Sequence, residues 1–207
     1  LIVLSADHGG PDTPGYLNSL HISAGYIDPA SWSKEAAITR LKKQFNIHGK
    51  LIEKYEHPYL YFSKSVIDNK EIDHQLLEAA LAKELTALPG ISMAVSSKAL
   101  QRGNLPETPL YQAVRNNFYA KRSGDVYIVF EPNWFINDFD GLVVASTHGS
   151  PWGYDSYVPI VFAGADIEPE RVTRRVATVD IATTLSAYVG IKPPSGAFGN
   201  ILDELFD

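Results

Sequence analysis

The chain opens Leu1-Ile2-Val3-Leu4-Ser5-Ala6-Asp7-His8-Gly9-Gly10. An uncharged run gives way abruptly to two side chains able to bind a metal. Apolar residues at every position, rather than alternating ones, suit a strand covered on both faces. Chain termini are ordinarily polar and frayed, so this opening reads as an internal piece of a larger enzyme, cut near one wall of its active site.

Working outward, Asp7 to Ser33 is rich in Gly and Pro and reads as a long loop of the kind that tends to carry function. Residues 31–45 (SWSKEAAITRLKKQF) put Ile38, Leu41 and Phe45 on one helical face, with Ser31 or Ser33 as N-cap. Two short β-prone runs flank His57-Pro58 and read as a hairpin. Residues 71–88 (EIDHQLLEAALAKELTAL) form a helical stripe that Pro89-Gly90 closes. A strand at 91–97 and a helix from Pro109, capped by Thr108, follow. Strands are predicted at 124–132 (GDVYIVFEP), 141–147 (GLVVAST) and 157–164 (YVPIVFAG), then a helix at 179–191. Strands alternating with helices predict an α/β fold, a mostly parallel sheet flanked by helices, with the hairpin as an excursion.

Several function classes drop out. A net charge of −6 leaves no basic stripe for phosphates, so nucleic acid is not expected as a partner. The one basic cluster, Arg40 to Gln44, reads as a solvated helix face. The absence of cysteine excludes disulfide frameworks, thiolate metal sites and cysteine nucleophiles. No apolar run approaches the roughly 20 residues of a membrane span. The nucleophile elbow, the Walker loop, the dinucleotide-binding glycine pattern and the zincin helix motif are all missing.

The chemistry concentrates at two places. Asp7-His8 follows the first apolar run, and His148 follows a β-branched run and precedes Gly149. Ligands of open α/β sheets gather beyond the carboxyl ends of strands. Neighbours on an ideal strand point to opposite faces. Asp7 and His8 can therefore converge on one ion only if the backbone leaves strand geometry, which the following glycines permit. Carboxylate and imidazole are suitable ligands for zinc or another divalent metal. The same residues also fit hydrogen-bonded turns, and spacing alone does not choose between the two. His21, His48, His57 and His74 have no comparable setting.

Four blocks, SADHGG (5–10), RSGDVYIVFEPNW (122–134), THGSPWGYDSYVPIVFAG (147–164) and VDIATTLSAYVGIKPPSGAFGNIL (179–202), together resemble the C-terminal part of the alkaline phosphatase superfamily. The resemblance is to the bacterial periplasmic enzymes with a threonine nucleophile. It spans most of the chain and is weakest over 40–110, which reads as an inserted subregion of one catalytic-domain portion, 1–207.

What the resemblance implies is a two-zinc phosphoryl-transfer site. Asp7 and His8 would bind one zinc and His148 the second, in one binuclear pocket. The attack would form a phosphoenzyme. The nucleophile, the remaining ligands and the phosphate clamps lie upstream in that family, so no catalytic residue is assigned to this chain. Three metal ligands for two ions fall short of the three or four that a zinc site needs. The chain alone is thus expected to bind zinc weakly or not at all and to be inactive. The resemblance further implies a phosphate ester substrate, the missing N-terminal half as partner, and an exported, periplasmic location. Two alternatives stay open: a nucleotide pyrophosphatase or phosphodiesterase, and a non-catalytic α/β module.

Within the blocks, Asp155 is the better candidate, ahead of Asp125, for an acceptor that orients a ligand histidine, though it also suits a loop cap. Arg122 reads either as a phosphate contact or as an exposed helix end. Trp134 and Trp152 read as packing residues, and Asp180 as the cap or first-turn acid of the last helix.

Overall fold

The structure is a computed structural model describing residues 1–103, 105–139 and 141–206. In chain order the elements are β1 (Ile2–Ser5), α1 (Pro14–Ser19), β2 (Gly25–Tyr26), a 3-10 turn (Pro29–Lys34), α2 (Ala36–Gln44), β3 (Ile52–Glu56) and β4 (Tyr59–Phe62). Then come α3 (Lys64–Ile67), α4 (His74–Thr86), β5 (Ile91–Ser96), α5 (Ser97–Arg102), α6 (Pro109–Asn117) and β6 (Val126–Phe130). The rest are β7 (Trp134–Phe135), β8 (Asp138–Phe139), β9 (Leu142–Val143), α7 (Gly153–Ser156), β10 (Ile160–Ala163), α8 (Asp180–Tyr188) and a 3-10 turn (Asp203–Leu205). Residues 10–156 form one unit, and residues 1–9 with 157–207 form another.

In the 10–156 unit the sheet runs β3-β4-β6-β5, and each of its pairs is antiparallel. The α/β class holds, but the expected mostly parallel sheet does not. The reason is visible on β6, whose five residues VYIVF are all buried. Val126, Ile128 and Phe130 pack with Ile38 and Leu41 of α2 and with Leu77, Leu81 and Leu85 of α4. Tyr127 and Val129 pack with Leu100 of α5 and Val114 of α6. Helices on both faces make a strand apolar at every position whatever the direction of its neighbours, so the run reports coverage and not pairing. Among the described strands only β2 and β7 pair parallel, over two residues.

The hairpin at 52–62 forms as expected, with His57-Pro58 at its turn in a cis peptide. It is not an excursion, because β4 pairs with β6 and so joins the main sheet. Two helix starts follow capping chemistry: Asp73 Oδ1 accepts from the Leu76 N–H (3.1 Å), and Thr108 Oγ1 from the Tyr111 N–H (3.3 Å) with Pro109 at the first position. By contrast, α2 begins at Ala36 behind Glu35, so neither Ser31 nor Ser33 is its N-cap.

In the other unit β1 pairs antiparallel with β10, from Ile2 opposite Ala163 to Ser5 opposite Ile160. The opening run is not covered on both faces here: Ile2 is 71% and Leu4 62% exposed. Asp180 is the first-turn acid of α8, but its carboxylate binds segments outside the helix. Its Oδ2 accepts from the Ala177 N–H and its Oδ1 from the Asn200 N–H, both at 2.8 Å. Thr184 Oγ1 accepts from the Leu202 N–H at 3.0 Å, so one turn of α8 holds the following segment against it.

Candidate functional site

β1 ends at Ser5, so Asp7 and His8 stand beyond it, where the strand's alternation no longer separates them. The His8 N–H donates to Asp7 Oδ1 at 3.0 Å. His8 Nδ1 lies 2.6 Å from the Gly9 carbonyl oxygen. A carbonyl only accepts, so Nδ1 carries the hydrogen and the lone pair sits on Nε2. That Nε2 is 3.7 Å from Asp7 Oδ2, a separation that one ion about 2.0–2.2 Å from each atom can span. A histidine donating its other ring N–H to a backbone carbonyl is the usual arrangement behind a metal ligand. The donor pair therefore fits a divalent ion. Asp7 is almost fully exposed and His8 about a third exposed, so the ion would be reached from solvent.

The 10–156 unit holds His148 in the segment 147–151, which walls a cavity of about 310 Å³ with His57, Phe130, Trp134 and Ile136. The expected strand at 141–147 is shorter: β9 covers only Leu142–Val143, and His148 lies in the irregular stretch that follows. This stretch is held by named contacts. The His57 ring Nε2 is 3.1 Å from the Gly149 carbonyl oxygen. Asp155 Oδ2 accepts from both the Ser150 N–H (2.8 Å) and Ser150 Oγ (2.6 Å). Trp152 Nε1–H donates to the Phe130 carbonyl at 3.0 Å, tying the segment to the end of β6. Gly149 has φ +104°, a conformation that favours glycine, and a Cβ there would crowd His57 Nε2 at 3.2 Å.

His57 had no distinguishing sequence setting, and its tie to Gly149 spans 92 residues. No local pattern could have revealed it. One side of the residue meets solvent, but the ring packs against Tyr55 and Phe130. Loss of hydration there pushes the imidazole below its ordinary pKa, against the smaller upward pulls of the Gly149 bond and of Asp155. Burial likewise raises the Tyr55 phenol well above its ordinary value, which keeps its O–H as a donor.

Asp155 is buried, and its Oδ1 has no hydrogen-bond partner among the described residues. Asp125 Oδ2 accepts from the Phe62 N–H at 2.7 Å. The Arg122 guanidinium lies over the Tyr119 ring, 5.9 Å from its centroid. Trp134 packs against Gly25 and Gly90. Asp7 and His8 belong to one unit and His148 to the other. Among the described residues no three His, Asp or Glu side chains gather as a metal site.

No protein-family model matches the chain. Curated relatives do. Over 206 residues it is 28% identical to a Myroides odoratus protein named calcium-transporting ATPase, covering 100% of this chain and 37% of that protein. It is 27% identical over 210 residues to alkaline phosphatase PafA of Elizabethkingia meningoseptica, covering 99% and 36%. It is 25% identical over 208 residues to alkaline phosphatase PhoV of Synechococcus elongatus, again covering 99% and 36%. The solved structure of wild-type PafA superposes with a TM-score of 0.79 at 25% identity, over 99% of this chain and 38% of that one. Along its length the chain is similar to alkaline phosphatases. The likeness extends over its whole length, including the 40–110 stretch, and the fold is a partial version of that structure. The chain spans a little over a third of the length of the curated relatives it matches.

Proposed function

We propose that the chain is the C-terminal portion, over 1–207, of the catalytic domain of a two-zinc hydrolase that cleaves phosphate monoesters through a phosphoenzyme. The observation that carries this reading is the Asp7-His8 pair, whose Oδ2 and Nε2 lie 3.7 Å apart, in a chain similar to alkaline phosphatases along its whole length. Asp7 and His8 would hold one zinc and His148 would contribute to the second. Paired zinc ions lower the pKa of an attacking oxygen and stabilise a departing one.

The chain's own residues bind and orient. The Gly9 carbonyl keeps the proton on His8 Nδ1 and so presents Nε2. Asp155, through Ser150, fixes the turn that bears His148. With two donors in one unit and one in the other, the chain by itself binds zinc weakly and turns nothing over. The nucleophile and the completing ligands belong to the rest of the longer polypeptide. An exported, periplasmic location accompanies this reading.

The test compares hydrolysis of an aryl phosphate monoester and a diester by the full-length polypeptide, with and without zinc. The expectation is zinc-dependent monoesterase activity that Asp7→Ala, His8→Ala or His148→Ala abolishes. Preference for the diester would replace this reading with that of a phosphodiesterase. If zinc also fails to raise the melting temperature, the chain is a non-catalytic module, since a ligand bound only by the folded state must stabilise it.

A further inference from the structure

The Gly149–Ser150 peptide group follows His148 directly, and both of its polar atoms are held. Its carbonyl oxygen faces His57 Nε2 at 3.1 Å, and its N–H donates to Asp155 Oδ2 at 2.8 Å. We propose that His57 is a positioning residue for His148, acting as one of two clamps on this peptide plane. The proposal rests on the reading of His148 as a zinc ligand.

The polarity of the contacts fixes how the clamp works. A carbonyl oxygen has no hydrogen, so Nε2 of His57 must donate. In the neutral ring Nδ1 is then the acceptor, and the Tyr55 hydroxyl, 2.9 Å away, supplies the hydrogen. The result is a directed chain from Tyr55 O–H to His57 to the Gly149 carbonyl. With the opposite tautomer two acceptors would face each other at Gly149, whereas the Tyr55 oxygen, which can also accept, would tolerate either form; the Gly149 carbonyl therefore sets the direction.

The base of the clamp is well seated. The Tyr55 ring meets Trp32 edge-on at 5.2 Å, and the His57 ring lies 5.8 Å from Phe130 of β6. Rotating the Gly149–Ser150 plane breaks the bonds to His57 and Asp155 together. The backbone next to His148 is thereby held in the left-handed conformation recorded at Gly149. Partners behind a metal-binding histidine ordinarily act on its own ring; here the hold is on the peptide plane beside it.

Two experiments test this. In the chain labelled with 15N-histidine, long-range proton–nitrogen spectra should show His57 as the Nε2–H tautomer, and Tyr55→Phe should weaken that preference. A dominant Nδ1–H tautomer overturns the proposal without touching the hydrolase reading. In the full-length polypeptide, His57→Phe keeps an aromatic ring but loses the donor. It should lower kcat or the apparent zinc affinity by about 10–100-fold, the usual effect of losing a partner behind a metal ligand. His57→Gln, whose amide can still donate to Gly149, should recover most of the loss at a similar melting temperature. Wild-type kcat and zinc dependence in His57→Phe overturn the clamp alone. A wild-type polypeptide with no zinc-dependent turnover overturns the functional reading and this proposal with it. If His57→Phe does not fold, Tyr55→Phe carries the kinetic test, with a smaller loss of the same kind expected.

Discussion

Asp155 binds Ser150 twice through one carboxylate oxygen, accepting from its backbone N–H at 2.8 Å and from its hydroxyl at 2.6 Å. Asp155 is 4% exposed, so both bonds are shielded from water. Hydrogen bonds to a buried charge are worth about 1.5–3 kcal/mol, and stranding their donors forfeits that. Asp155→Ala should therefore destabilise the 10–156 unit by about 1.5–3 kcal/mol in denaturant titration. Asp155→Asn keeps an acceptor oxygen for Ser150 and should lose clearly less. Equal losses would show that volume, and not the bonding of Ser150, matters there.

Glu78 of α4 is the buried carboxylate whose titration should mark the stability curve. Its Oε2 accepts from Ser96 Oγ (2.7 Å) and from the Lys98 N–H (2.9 Å). Burial nonetheless holds its pKa above the ordinary value of 4.5, because desolvation outweighs those bonds. Between 4.5 and the raised value the folded chain binds more protons than the unfolded one. Stability must then fall as pH rises through that window. Glu78→Gln, whose carbonyl can accept both bonds, should flatten the fall and leave the variant more stable than wild type at pH 7. At pH 4 the two should match. Chemical denaturation at a series of pH values reads this out, and a wild-type-like slope in the variant rejects it.

Gly90 closes the turn between α4 and β5 with φ +78°, and a Cβ placed on it would lie 2.6 Å from Trp134 Cε3. Gly103 has a similar φ of +68°, but a Cβ there meets nothing closer than 4.0 Å. Alanine at 103 should lose only the backbone preference, about 1 kcal/mol. Alanine at 90 adds overpacking of about 1–3 kcal/mol. Urea midpoints of the two variants should separate in that order, and coincident midpoints would mean that Trp134 yields freely.

Asp180 ties Ala177 and Asn200 to the start of α8. Asp180→Ala should speed amide hydrogen exchange at Asn200 and Leu202 far more than within β6, because the two lie in different units. Uniform acceleration throughout the chain would show instead that the substitution lowers global stability.

Much of this architecture was legible from pattern. Helices came from their stripes, as over 71–88, and in one case from a cap, Thr108, and the hairpin from the β-prone runs around His57-Pro58. Strand direction was not legible, because β6 is apolar at every position for a reason unconnected with its neighbours' polarity. At the candidate site, the approach of the Asp7 and His8 side chains was readable because a carboxylate and an imidazole stand together before two glycines. The His57–Gly149 contact was not, since it joins residues 92 apart in the chain, and only folding brings the hairpin turn to Gly149.

The ribbon of β1 and β10 has a practical consequence. Ile2, Leu4 and Val161 turn aliphatic side chains to water on strands whose described pairing is only with each other. Bare strand rims of this kind recruit further strands, and two strands are marginal alone. When the 207-residue chain is produced by itself, self-association should begin at this ribbon. A charged residue in place of Leu4 would then keep the chain dispersed at concentrations where the wild type precipitates.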